Sequence, residues 1–262
     1  MPLKSKRKSP TPPTRSGVGI DGVSRCARYA FGPNRLHLCG PGASREVFDY
    51  VRDGAADGGL EHLLTQFRTL YPYLQTIARA NRIADPFDAR VVEAYWIGND
   101  LLDTIPPKTY FRHLTDVVEL QKRSPRRTVE AITEKLRHGA RMHHSFHVLN
   151  LYRRTGNDPV AHTFETFADC LVSWGTVVSV DGPVLRVRMQ PLVLHGHQLA
   201  LGNAVERRIV RRLWDDDLLD GVRVHDLLTM HWGMPCEVIT PVQARALERV
   251  TLRHIALANQ TL

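Results

Sequence analysis

Between residues 171 and 201 the chain drops the helical periodicity that precedes it, and this change of texture limits the fold more than any other feature. Segments 171–180 and 184–194 alternate β-branched and polar residues on either side of Asp181-Gly182. That dipeptide accepts the positive φ angles of a tight hairpin. His195-Gly196 supplies a second turn before a short strand over 198–201. Up to about residue 152 apolar residues instead recur at three- and four-residue spacing, the signature of packed helices. A small antiparallel unit inside a helical chain defines an α+β fold. Three short strands cannot hold a core alone, so residues 21–262 read as one compact unit. Its parts are a helical body over 21–165, a β-unit over 168–202 and C-terminal helices over 203–262.

Helix starts are written into the sequence. Asp85-Pro86, Pro106-Pro107 and Ser124-Pro125 each place proline where the first helical turn has no N–H to satisfy. The helix begun at Asp85 is expected to reach about Leu102. Gly32-Pro33-Asn34 is expected to stop a short first helix over 27–31. Thr240-Pro241-Val242-Gln243 combines an N-cap, a first-turn proline and a capping-box glutamine, and opens a helix to about Ala258. Two further helices are expected over 205–214 and 224–230.

The net charge is +8 over 262 residues. Lys4, Lys6, Arg7, Lys8 and Arg15 lie in the first 20 residues with no acid among them, which leaves +3 for the rest. The excess belongs to a Pro-rich, basic tail over 1–20, expected to be disordered. No zinc-finger spacing or RNA-binding signature follows it, which argues against a nucleic-acid partner. No apolar run approaches the ~20 residues of a membrane span. Cys26, Cys39, Cys170 and Cys236 form no Cys-x-x-Cys pair, so neither a dense disulfide framework nor a structural zinc ribbon is expected. The composition suits a reducing cytoplasm.

Chemistry concentrates in Arg141-Met-His143-His144-Ser-Phe-His147, three imidazoles in five positions. On a helix from about 141 to 154, His143 and His147 stand one turn apart and can share a transition metal such as zinc, nickel or iron. His144 then points about 100° away from His143; it is a further metal-ligand candidate, or a general base if the protein is an enzyme. A third ligand must come from another segment, with His37, Cys39 or His231 available. Glu93 shares a helix face with Trp96 and Asp100 and needs a partner if buried; Glu93 or Cys39 is the expected neighbour of the His143/His147 pair. The competing reading is a hydrogen-bonded structural cluster. His-Glu-x-x-His, Gly-x-Ser-x-Gly, Walker and EF-hand patterns are absent.

Cys170-Leu-Val-Ser-Trp174-Gly175-Thr-Val177 leads into the Asp181-Gly182 turn. The spacing is similar to the opening Cys-x-x-x-x-Gly-x-Val of the small hydrogenase-maturation chaperones, in which the cysteine helps carry the iron fragment of a nickel-iron site. It departs from that pattern in having an internal cysteine and Ser173-Trp174 in place of Ile-Pro. Read without the resemblance, Cys170 packs as a small hydrophobe. Four further stretches, Tyr29–Leu36 through Cys39-Gly-Pro41, Val92–Asn99, His143–His147, and His231-Trp232 with Cys236-Glu237, resemble a prokaryotic family without an assigned activity, associated with nickel-iron hydrogenase gene neighbourhoods. That resemblance implies an accessory, non-catalytic protein that binds a hydrogenase subunit, a maturation protein or a metal. The alternative is a metal- or histidine-dependent enzyme.

Overall fold

The computed structural model describes residues 20–151, 163–214, 216–219 and 221–262. The basic tail, and the end of the histidine segment at Arg154–Asn157, lie outside the described residues. The helices are α1 (Gly22–Arg35), α2 (Ser44–Asp53), α3 (Gly58–Thr65), α4 (Leu70–Ala80), α5 (Ala89–Trp96), α6 (Pro107–Asp116), α7 (Leu120–Arg123), α8 (Arg126–Arg137), α9 (His144–Phe146), α10 (Phe164–Cys170) and α11 (Pro241–Ala258). The strands are β1 (Ser173–Asp181), β2 (Val184–Met189), β3 (Leu192–His195), β4 (Gln198–Leu201), β5 (Val205–Val210), β6 (Arg212–Leu213), β7 (Asp216–Asp217), β8 (Leu227–His231) and β9 (Met234–Ile239). The fold is α+β, as the change of texture implies.

A five-stranded antiparallel sheet runs in the order β5-β2-β1-β8-β9, with β3-β4 as a separate hairpin. Both expected turns form: Asp181 pairs with Val184, and His195 with Gln198. The sheet is nevertheless larger than the 168–202 unit, because 205–210 and 227–231 are strands where helices were expected. β5 is an edge strand whose Glu206, Arg207 and Arg208 face solvent. Its charges keep the open edge from pairing with another chain, and they also give it the look of a polar helix. β8 is a central strand buried at Leu228, Thr229, Met230 and His231, and its continuous apolar run has no alternation to reveal it.

The helical body encloses the main core, which extends to Met234, Cys236 and Ile239 of β9. A second cluster, including Val177, Leu185, Val187 and Leu228, fills one side of the sheet. A third joins Val148 and Leu149 to Leu192, Leu199 and Ile255, where α11 meets β3-β4. The Thr240 capping box forms as expected, with its side chain accepting from Gln243 N. Asp85 starts a turn rather than a helix. Asp88 caps α5, which ends at Trp96, and Gly98 turns at φ 95°. Glu93 and Asp100 therefore do not share a continuous helix face.

The largest departure near the centre of the molecule is α1. It continues through Gly32-Pro33 to Arg35, held at its start by Asp21, whose carboxylate accepts from Val23 N and Ser24 N at 2.9 and 3.1 Å. Proline inside a helix removes the bond to the carbonyl four residues back. Here the freed carbonyl belongs to Tyr29. Gly32 lets the same turn approach β8: a Cβ there would lie 2.6 Å from the His231 carbonyl oxygen. No helix among the described residues is long and apolar enough to cross a membrane.

A buried histidine-cysteine cluster as candidate metal centre

His143 does not belong to a helix. Its φ of −131° and ψ of 152° are extended, and its own Nδ1 caps α9 by accepting from Ser145 N at 3.0 Å. α9 lasts three residues and passes into a π-helical turn over His147–Leu151. Such turns change which way successive side chains point. The expected shared face of His143 and His147 therefore does not exist.

His143 points towards α11. Arg141 N donates to His254 Nε2 at 3.0 Å, which makes that nitrogen an acceptor and places the proton of a neutral ring on Nδ1. His254 Nδ1 then donates to Ser145 Oγ at 2.7 Å, and Ser145 Oγ donates to His143 Nδ1 at 2.8 Å. Every proton in this chain has one allowed position. The His143 proton is left on Nε2, buried at the end of α5 without a well-aligned acceptor. Burial lowers the His143 pKa to about 3, against the pull of the Trp96 and Ile97 carbonyls, and burial also holds His254 well below the usual imidazole range. This is the structural hydrogen-bonding reading, realised for His143.

His147 turns the other way, towards α4. Its Nδ1 lies 3.3 Å from the Tyr73 hydroxyl, which is itself 3.4 Å from the Tyr110 hydroxyl. Glu93 reaches neither histidine. Its Oε2 lies 3.2 Å from Arg25 Nη1 and accepts from Gln243 Nε2 at 2.8 Å, while Arg25 also binds Glu237 at 2.7 Å. These groups tie α1 to α5, β9 and α11 as a structural network. His37 sits exposed in the turn after α1.

His144, the ring expected to stand apart, enters the cluster. His144, Cys170 and His231 place one ligand atom each within 4.8 Å of one another, close enough to hold a metal ion. Cys170 ends α10, and His231 ends β8 at a two-residue turn of Trp232 (φ 52°) and Gly233 (φ 69°). The backbone bond from Trp232 N to Asp169 O, 2.9 Å, docks that turn on the end of α10. Each imidazole is oriented from behind through Nδ1. His231 Nδ1 donates to the Tyr29 carbonyl at 2.7 Å, and His144 Nδ1 lies 3.3 Å from the Tyr95 hydroxyl. The acceptor for His231 is the carbonyl released by Pro33. Both Nε2 atoms then point inward, to the Cys170 carbonyl oxygen at 2.8 Å (His144) and 3.0 Å (His231).

The two imidazoles differ in what they can satisfy. A neutral His144 donates from Nε2 to Cys170 O and accepts at Nδ1 from Tyr95. His231 faces a carbonyl oxygen at each nitrogen, and a neutral ring has one proton to offer. Its Nε2 lone pair, held beside the Cys170 oxygen, calls for a cation. Burial opposes the proton as that cation: it lowers the His231 pKa to about 4, against the two carbonyls, and holds His144 well below its usual range, helped by the neighbouring His231.

An apolar cavity of about 70 Å³ opens beside the cluster. Trp96, whose ring centre is 4.5 Å from that of His144 and 5.3 Å from that of His231, forms one wall; Phe67, Leu70 and Trp232 form others. Cys39 and His147 line this cavity but lie outside the three-residue cluster. Burial pushes the Cys39 thiol up to about 11. Trp174 is on β1, paired with Thr229, and faces a separate cleft.

Sequence reasoning assigned His144 to the wrong face and named His231 only among alternatives. It missed Tyr95, Tyr29 and Pro33 as the groups that orient the rings. The signal for the last was present, since a Gly-Pro pair within a helical pattern frees a carbonyl whether or not the helix stops.

The fold and cluster define an α+β protein in which two buried histidines and a half-buried cysteine meet beside a small apolar cavity. Residues 19–262 match the family described as a family of unknown function, DUF6390, and the chain belongs to it. No curated protein and no solved structure matches it.

Proposed function

We propose that the protein binds a transition metal through His144 Nε2, His231 Nε2 and Cys170 Sγ. The observation that carries this is His231, whose Nδ1 is committed to the Tyr29 carbonyl while its Nε2 lone pair is held inward against a second oxygen. Two imidazoles and one thiolate are borderline-soft donors that suit zinc, nickel or ferrous iron over magnesium or calcium. Ligand atoms around such an ion stand ~3.3–3.6 Å apart in tetrahedral geometry. The 4.8 Å span of the cluster therefore closes by rotations of about an ångström. Tyr95 accommodates either state of His144, because a hydroxyl both donates and accepts.

Three protein ligands would leave a fourth position, and all three residues line the apolar cavity. This favours a centre that exchanges a ligand over a closed structural site. Such a centre serves an accessory protein that holds iron or nickel for nickel-iron hydrogenase assembly, with Cys170 in the carrier role that the resemblance implies. The same open position supports a second reading, a metal-dependent enzyme acting on a small apolar substrate, with the metal activating water.

Elemental analysis after expression with added zinc, nickel and iron tests the centre. About one equivalent of one metal is expected in the parent protein and less than a tenth of that in His231→Ala and Cys170→Ser. Equal metal in all three removes the proposal. A deletion strain separates the two roles: lost hydrogenase maturation with intact metal binding supports the accessory role, and normal maturation supports the enzyme.

A further inference from the structure

A larger cavity, about 520 Å³, lies between α8, the π-helical turn and the residues that follow α11, away from the histidine cluster. Its polar lining has a one-sided character. Lys135 is buried to 1% exposure, and the contact of its Nζ is a hydrogen bond to Thr261 Oγ1 at 2.7 Å. Thr261 Oγ1 passes its own proton to the Ala258 carbonyl at 3.2 Å, so it stands as a pure acceptor to the ammonium. An ammonium has three N–H donors, and two are left. Arg127 stands on the same cavity, and neither it nor Lys135 has a carboxylate partner among the described residues. Among the described residues no acidic side chain lines the cavity.

Asn150, from the π-helical turn, lines the same cavity. It is 3% exposed; its Nδ2 donates to the His254 carbonyl at 3.1 Å, and its Oδ1 is buried without a hydrogen-bond partner. A buried charge without a counter-ion is costly, and so is a buried acceptor without a donor. Burial already lowers the Lys135 pKa to about 8. One ligand answers both demands. Its anionic oxygens meet Lys135 and Arg127, and a hydroxyl or amino group donates to Asn150 Oδ1. Its carbon body would lie on Ile132 and Leu151.

We infer that this cavity binds a small organic anion that carries a hydroxyl or amino group as well as its carboxylate or phosphate. The volume matches a molecule of metabolite size rather than a single ion, within the usual range for such sites. The inference is independent of the metal centre, since it shares no residue with it.

Calorimetric titration of the full chain at low ionic strength tests it, with L-malate and glycerol 3-phosphate as probes and the Lys135→Met and Arg127→Ala variants for comparison. Saturable one-to-one binding of at least one probe is expected, weakened tenfold or more by Lys135→Met and several-fold by Arg127→Ala. Malate alone would identify an organic acid as the ligand type, and glycerol 3-phosphate alone a phosphate ester. Without ligand, Lys135→Met is expected to unfold at a temperature equal to or above that of the parent, because it removes an uncompensated buried charge. Failure of both probes to bind, or binding unchanged in Arg127→Ala, overturns the inference. So does a Lys135→Met protein that is less stable than the parent without ligand, since that marks the lysine as structural.

Discussion

His143 and His144 are adjacent in sequence and meet opposite fates. On one side, Arg141 N, His254, Ser145 and His143 form a directed chain in which each proton has one place. On the other, His144 and His231 turn their Nε2 atoms onto one carbonyl oxygen beside a thiol. Both groups are buried and rich in imidazole, so neither burial nor composition tells structure from function. The difference is which kind of group is left over. The His143 chain ends on a spare donor at His143 Nε2, whereas two oxygens face the single proton of His231 and leave a spare lone pair there.

Acid should give the largest effect, and it acts on both sides. Buried neutral histidines have folded pKa values below the ~6.5 of the unfolded chain. The unfolded state therefore binds more protons as pH falls through 6.5, and stability present above that pH is lost progressively towards pH 3. His143 and His113, both held near 3 by burial, belong to this set, as do His254, His144 and His231. Each adds up to about 1.4 kcal/mol per pH unit to the slope. Denaturant midpoints of the metal-free protein between pH 7 and pH 4 should fall steeply, and a flat profile would mean that these rings are not buried as neutral groups.

The next effect is on the closed chain itself. His254→Ala leaves Arg141 N without its acceptor and Ser145 Oγ without its donor, and opens a cavity beside Phe146. A loss of about 3 kcal/mol in unfolding free energy is expected, with metal affinity unchanged. Equilibrium unfolding beside a zinc titration reads both. Coupled loss of metal would show that the two sides are one site.

Pro33→Ala should act in the reverse sense. The substitution restores an N–H that competes for the Tyr29 carbonyl and so loosens the hold on His231 Nδ1. Outer partners of this kind change metal affinity by about tenfold, while helix propensity favours alanine. Weaker zinc binding at equal or greater stability is expected. Unaltered affinity would show that the Tyr29 carbonyl does not orient the ring.

Much of the fold was legible where local chemistry decides it. Asp181-Gly182, His195-Gly196 and the Thr240 capping box act through their own φ angles and hydrogen bonds, and each forms as read. β8 and β5 were not legible, because pairing partners decide them: one is buried on all sides and the other is charged along an open edge. The site failed at a single backbone angle. Periodicity puts His143 and His147 on one face only if the helix includes His143, whereas its extended conformation rotates the whole trio. Cys170 and His231 were visible as residue types, but only the docking of the Trp232-Gly233 turn on the end of α10 joins them to His144.

Competitive zinc titration of the parent protein, His144→Ala and His143→Ala, all under reducing conditions, tests the central distinction most directly. The account predicts that His144→Ala loses at least a hundredfold in affinity while His143→Ala, although less stable, binds within a few-fold of the parent. Strong zinc binding that survives in His144→Ala and disappears in His143→Ala would contradict it.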